Sequence, residues 1–321
     1  MKIGCGGITW GTFARAKGVE FSHEQVFAEI AQAGFEGAPI NVRDQRSPQE
    51  IVDDFGHFGL KPAPGYLGAT FWDPDQEDEI YERAKHAGWI SQQVGVTELY
   101  VAASPLTRRE ASGHVRPEDA LPDEAYRQFA KVLDQVGDIC LAYSVKIGFH
   151  NHVGSVIETR QEIDKLFSLV DRDRVFQGPD IGHLAWAGAD VVQFCKDYAH
   201  DIVTVHIKDI DPDVLQQGVA ASWDYGTFSQ HGIFIELGEG FVDLAGSFDI
   251  LQRAGYDGWV IVETDVTQKE SPLESAIIST SASAASSQNA ASLSARAKTG
   301  SSLAPDVEAS AADLATDSES S

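Results

Sequence analysis

Across the first 275 residues, short apolar runs alternate with helical patterns about eight times, and no second pattern interrupts them. The runs are short and rich in β-branched and aromatic residues, as in TELYVAAS (97–104), VKIGFHNH (145–152), IVTVHIKD (202–209) and WVIVETD (259–265). The segments between them carry helix signals. In SHEQVFAEIAQAGF, Ser22 is placed to cap the first turn, Val26, Ile30 and Ala33 recur at helical spacing, and Gly34 ends the pattern. Ser47-Pro48 opens another such segment. Strand–helix alternation predicts a parallel sheet covered by helices. Eight units in about 275 residues predict one closed (β/α)8 TIM barrel, an α/β fold. The competing open, doubly wound sheet usually carries a G-x-G-x-x-G turn after its first strand, and CGGITWG lacks that spacing. The expected organisation is a barrel domain over 1–275 and an Ala/Ser-rich tail over 276–321. The tail is expected to be disordered, because it holds almost no large apolar residues to offset its ordering entropy.

Composition removes several function classes. Acidic residues outnumber basic ones 49 to 24, a formal net charge of −25. Such a chain is repelled by nucleic-acid phosphate and by anionic membranes, so neither is an expected partner. The charge suits solubility or a salty milieu. No apolar run reaches membrane-spanning length, and MKIGCGGITW does not read as a signal peptide. Three scattered cysteines, Cys5, Cys140 and Cys195, form neither a zinc pattern nor a disulfide framework. The expected location is a reducing cytoplasm.

In a barrel, chemistry sits where the strands end. Four late runs end in potential ligands or acid–base groups: His150 and His152; Asp180 and His183; His206, Lys208 and Asp209; Glu263 and Asp265. Residues two apart on a strand share a face, so His150 pairs with His152, His206 with Lys208, and Ile261 with Glu263. Glu158 follows a few residues after the first pair. A single strand-end histidine is more often structural than functional. Four such ends in series are costly to bury unless the groups pair or bind a cation. Mixed carboxylate and imidazole donors, without thiolates, suit Mn²⁺, Co²⁺, Fe²⁺ or Mg²⁺. Such an ion polarises a carbonyl or enolate oxygen, and a nearby His or Lys moves a proton.

These segments, with GITW near the start, PDIGHLAWAG, and ELGEGFVDLAGSFDILQRAGYDGWVIVETD, resemble the xylose-isomerase-like TIM barrels of the sugar phosphate isomerase/epimerase superfamily. Within that group the resemblance over residues 3–268 leans to the inosose dehydratase branch. It implies a divalent metal, with Mn²⁺ preferred, held by Asp180, His206, Glu263 and a fourth ligand. His150 stands where many relatives have glutamate. Either Glu158 completes the shell while His150 or His152 carries the proton, or His150 is the ligand; Lys208 is the next candidate base. Many relatives carry an acidic substrate contact just after the Gly of GFEGAPI, where this chain has Ala38-Pro39. Trp10 either stacks on a sugar or caps the core, and His183 and Glu239 are further candidate substrate contacts. The implied activity is a lyase on a keto-polyol or keto-sugar, removing the proton α to a carbonyl and expelling a β-substituent, either by dehydration or by C-glycoside cleavage. The alternatives are an isomerase or epimerase using the same proton step, a nuclease that the acidic charge disfavours, and a non-catalytic sugar-binding protein. The long segment 212–234 is expected to be a lid or a subunit contact, and a homo-oligomer or a small second subunit is a candidate partner.

Overall fold

A computed structural model describes residues 1–106, 109 and 116–283. Its strands are β1 Lys2–Cys5, β2 Gly37–Pro39, β3 Lys61–Ala63, β4 Tyr66–Ala69, β5 Glu98–Ala103, β6 Lys146–His150, β7 Val175–Gln177, β8 Val205–Ile207, β9 Asp209–Ile210, β10 Phe234–Ile235 and β11 Trp259–Val262. Two parallel ladders make the wall: β3-β2-β1-β11-β8 and β4-β5-β6-β7. Parallel bridges Gln177–Ile202 and Asp180–His206 join β7 to the β8 side. β3 and β4 are one wall position broken at Pro64-Gly65, where proline has no N–H for the ladder; the Gly65 carbonyl still accepts from Tyr100 N at 2.9 Å. The wall therefore has eight positions, and the fold is a TIM barrel. β9 and β10 form a separate antiparallel pair at the mouth.

The helices start where their capping residues stand. Ser22 accepts from Gln25 N, and Ser47 and Thr159 each form a capping box, with Glu50 and Glu162 respectively. Most buried apolar residues pack between helices and wall in one continuous core. A smaller cluster, Ala63, Tyr100, Trp259 and Ile261, forms a buried plug of its own. Tyr100 and Ile261 share faces with the inward residues of β5 and β11, so this plug is the floor beneath the mouth.

Three expectations change at their edges. The first strand stops at Cys5, and a helix, Ile8–Lys17, begins where the sequence pattern still suggested a strand end. Segment 212–234, expected as a lid or a subunit contact, holds two helices, Pro212–Ala221 and Tyr225–Gln230, leading into β10. The Ala/Ser-rich change at residue 276 is not a fold boundary, because a helix runs over residues 272–283 and buries Ser275, Ala276, Ser279 and Ser283. Small side chains there permit close packing: Ser279 Oγ accepts from Leu237 N at 3.3 Å. Residues 284–321 of the expected tail lie outside the described residues. No helix among the described residues is long and apolar enough to cross a membrane, and the three cysteines are buried and free.

A chain ended at residue 271 should melt a few degrees below one ended at 283, at about 2–4 °C per kcal/mol lost. Equal thermal midpoints for the two truncations would show that this helix contributes nothing to barrel stability.

Candidate active site at the barrel mouth

The HNH segment solves a local geometric problem. His150 ends β6, and alternation sends Asn151 away from the cavity that His150 and His152 line. Asn151 then clamps the next wall position: its Nδ2 donates to the Asp180 carbonyl at 3.2 Å, and its Oδ1 accepts from Asp180 N at 3.1 Å. Asp180 in turn caps the helix Ile181–Trp186 by accepting from His183 N at 2.9 Å. The bridge from Asp180 to His206 completes the row, so β6, β7 and β8 present His150, Asp180 and His206 side by side.

Ligand atoms of these three residues lie within 4.8 Å of one another, and all three side chains are buried. His150 Nε2 is 3.9 Å from Asp180 Oδ2, too far for a hydrogen bond. His150 Nδ1 and His206 Nε2 lack hydrogen-bond partners. Buried polar atoms without partners are costly, and a shared cation is the ordinary remedy. Burial, and then the neighbouring His206, push His150 well below the usual imidazole range, which is the neutral form a metal takes. The donor set therefore fits a divalent ion.

Beside this trio sits Lys208, 1% exposed. Its Nζ is 2.6 Å from Glu263 Oε2, 2.9 Å from Asp180 Oδ2 and 3.1 Å from Asp265 Oδ1. Burial alone would lower its pKa, but Asp180, Asp265 and Glu263 outweigh it and hold the ammonium well above its ordinary value. Asp180 and Glu263 are held low against burial, chiefly by Lys208. Asp265, the third carboxylate, is pushed up by burial against the pull of Lys208. Glu263 Oε2 also contacts His206 Nδ1 at 3.1 Å. Two glycines make room for this packing: a Cβ on Gly6 would meet Glu263 Oε1 at 2.2 Å, and one on Gly182 would meet Lys208 Cβ at 2.4 Å. Gly6 of CGGITWG thus serves side-chain space at the site.

The cavity above has a volume of about 290 Å³. Its lining combines His150, His152, His206, Lys208, Glu263 and Asp265 with Ile8, Pro39, Pro64, Tyr66 and Tyr100. His152 Nδ1 lies 2.6 Å from the Val153 carbonyl. A carbonyl only accepts, so Nδ1 carries the proton and Nε2 keeps its lone pair.

Several expected site residues stand elsewhere. Glu158 is not brought to the trio; its Oε2 accepts from Gly154 N at 2.7 Å, and burial pushes its pKa up to about 7. Trp10 is 1% exposed in the first helix and donates Nε1–H to Glu29 at 2.5 Å, outside the cavity lining. Glu239 pairs with Lys269 Nζ at 2.8 Å on the rim. His183 is fully buried behind His152, with ring centroids 3.8 Å apart; it joins His152 and Asp265 in a second group of close ligand atoms. Behind it, Trp186 stacks on Tyr225 of the 212–234 segment at 5.3 Å. Asp209 faces the 238–242 turn, accepting from Gly238, Gly240 and Val242 N. The roles of Asn151, Tyr66 and Tyr100 carried no sequence signal that separated them from ordinary strand residues. The Tyr100 hydroxyl bonds Thr204 Oγ1 at 2.5 Å, and its ring lies 4.1 Å from His206.

Fold and mouth together define a closed parallel barrel whose C-terminal rim gathers acid–base groups and metal-type donors. Residues 27–284 match the sequence model of the xylose isomerase-like TIM barrel, and the chain belongs to that family. The rhizopine catabolism protein MocC of Rhizobium meliloti is 27% identical, over 83% of this chain and 82% of MocC. An inosose dehydratase of Geobacillus kaustophilus (strain HTA426) is also 27% identical, over 83% of this chain and 87% of that enzyme. Among solved structures, the IOLI protein with a binding zinc atom superposes with a TM-score of 0.67 at 18% identity, covering 90% of this chain and 98% of that one.

A carboxyl with a folded pKa near 7, against an ordinary value of 4.5, binds its proton more tightly in the folded state. Ionising Glu158 therefore costs stability as pH rises from about 4.5 to 7, by an order of 2–3 kcal/mol. Glu158→Gln should flatten that part of the stability–pH curve in urea titrations. An unchanged slope would mean that the buried carboxyl titrates normally.

Proposed function

We propose that this chain is a divalent-metal-dependent lyase acting on a keto-polyol or keto-sugar, removing the proton α to the carbonyl and eliminating a β-hydroxyl. The observation that carries this reading is the juxtaposition, at one barrel mouth, of the donor trio His150, Asp180 and His206 with an accessible imidazole, His152, and a buried ammonium, Lys208. The names of the curated relatives, inosose dehydratase among them, point the same way.

His150, Asp180 and His206 would hold the ion, with Glu263 flanking His206; Mn²⁺, Co²⁺, Fe²⁺ and Mg²⁺ all suit these donors. When bound, such an ion supplies Lewis-acid polarisation of a carbonyl and stabilises negative charge on its oxygen. His152 Nε2 is the base: it faces the cavity with its lone pair fixed by the Nδ1–H bond to Val153. As the α C–H bond breaks, its electron pair moves toward the carbonyl oxygen. When the carbonyl re-forms, the pair makes the new C=C bond and the β C–O bond breaks. The protonated His152 then delivers the same proton to the departing hydroxyl, which leaves as water. Lys208 is a poor proton donor, because three carboxylates hold its proton. Its fixed positive charge serves instead to stabilise the enolate oxygen.

Mn²⁺-loaded protein incubated with keto-inositols and 3-keto-glycosides should give a product lighter by one water. Unchanged mass with deuterium incorporated from D₂O would replace the lyase with an isomerase or epimerase. No change and no exchange across the panel would overturn both. His152→Ala should lower kcat by roughly 10²–10⁴, the usual worth of general acid–base catalysis, while retaining metal. By contrast, His150→Ala, Asp180→Asn and His206→Ala should each lose metal, and Glu158→Gln should keep it, as measured by metal analysis of the purified folded variants. Full metal occupancy in all three ligand variants would place the ion elsewhere.

A further inference from the structure

His152 lies two residues past the end of β6, so the ladder that fixes His150 does not hold it. The turn that follows holds it instead. The ring Nδ1–H donates to the Val153 carbonyl at 2.6 Å, and the His152 carbonyl accepts from Ser155 N at 3.1 Å. The Val153 carbonyl and the Gly154 N–H belong to one peptide unit. A trans peptide is planar, and its C=O and N–H point to opposite sides. On the far side of this plane, Gly154 N donates to Glu158 Oε2 at 2.7 Å. Imidazole, peptide and carboxyl therefore stand in series, with the peptide as the middle link.

Glu158 is 4% exposed, and among the described residues its carboxyl makes no other hydrogen bond and no ion pair. Burying a carboxyl without a cation beside it is costly. The nearby guanidinium of Arg109 is committed to other groups: it pairs with Glu162 and donates to the Ser155 carbonyl at 2.7 Å and the Asp119 carbonyl at 2.9 Å. Those contacts fix the frame of the loop. Arg109 holds Ser155, Leu106 N donates to the Gly154 carbonyl at 2.9 Å, and Glu162 Oε2 accepts from Glu158 N at 3.0 Å. Within that frame the Gly154 N–H is the group that depends on the Glu158 side chain. An apolar residue at 158 would leave this buried N–H unpaired.

We propose that Glu158 is the positioning residue for His152, acting through the Val153–Gly154 peptide. By holding Gly154 N it fixes the peptide plane, and the plane sets where the Val153 carbonyl points. The carbonyl in turn fixes the imidazole and keeps its proton on Nδ1, so Nε2 retains the lone pair. Hydrogen bonds in a chain polarise one another, so a carboxyl on the N–H side makes the carbonyl a stronger acceptor for the ring. This deepens the lyase reading, and it rests on that reading only for the role of His152 as the base.

The test reads the ring directly. Full-length, Mg²⁺-loaded protein labelled with ¹⁵N at histidine is compared by long-range ¹H–¹⁵N correlation NMR as wild type, Glu158→Gln and Glu158→Leu, with His152→Ala assigning the signal. Gln keeps an oxygen for Gly154 N, whereas Leu fills similar space without one. Wild type and Glu158→Gln should show His152 as the Nδ1–H tautomer, and Glu158→Leu should show a mixture of both tautomers. With keto-inositols in D₂O, Glu158→Leu should lower kcat for α-proton exchange roughly 10–100-fold, the usual worth of a hydrogen-bond partner that orients a histidine, with KM nearly unchanged and the glutamine variant close to wild type. A pure Nδ1–H tautomer in the leucine variant, or an equal loss of kcat in the glutamine variant, would overturn the proposal. If Glu158→Leu does not melt cooperatively, hydrogen exchange in the wild type decides: the Gly154 amide should be as protected as those of β6, and exchange at open-loop rates would overturn the proposal. Failure of the lyase reading has a different signature, no α-proton exchange by the wild type, and the tautomer is read whether or not exchange occurs.

Discussion

The mouth of this barrel is organised by one buried ammonium. Lys208 gathers Asp180, Glu263 and Asp265, three carboxylates delivered by two separate strand ends, within 3.1 Å of a single nitrogen. Without that charge the carboxylates would repel one another in a space that water barely reaches, and they would be driven to protonate. With it, Asp180 and Glu263 stay ionised. Gly182 and Gly6 are the steric complement, since side chains there would displace the lysine or the glutamate. The local fold and the local charge are thus one arrangement, and each requires the other.

Neutral imidazoles surround this charged centre. Burial holds His150 and His183 in their uncharged forms, so the site holds hard anionic oxygens and neutral nitrogens within a few ångströms. Such a mixture binds a cation without needing another anion to enter. It also places the half-buried imidazole of His152 beside the cavity, and its orientation is set by a main-chain carbonyl. The chemistry and its orientation device therefore lie in one five-residue stretch, 150–154.

The barrel was legible because its signals are local and repeated: each strand is a short apolar run, and each helix opens on a capping residue such as Ser22, Ser47 or Thr159. Strand ends were less legible. Gly6-Gly7 reads equally as the end of a strand or the start of a helix, and the difference moved Trp10 from the rim into the core. At the site, period-two alternation expects His150 with His152 and His206 with Lys208, and all four residues line the one cavity although His152 and Lys208 lie just past their strands. Glu158 shows the limit. Its separation along the chain suggested reach, but the turn at 153–155 folds its carboxylate back onto Gly154. Proximity of that kind is set by loop path, which no periodicity encodes. The helix over 272–283 was missed for a related reason: Ala and Ser carry little hydrophobic signal, yet their small volume is what allows close docking on the 237 turn.

The cavity lining divides along the chain, which has a consequence for how such a protein can change. The apolar wall is written in residues 8–66, and the charged centre in residues 150–265. Ile8, Pro39 and Pro64 carry no polar side-chain atom with which to bond Lys208 or its three carboxylates, whereas the Tyr66 ring lies 5.3 Å from that of His150. Drift at Ile8, Pro39 or Pro64 can therefore reshape the cavity without touching the charged groups. In a descent line, selectivity and reactivity become separately inherited traits, carried on opposite halves of one gene.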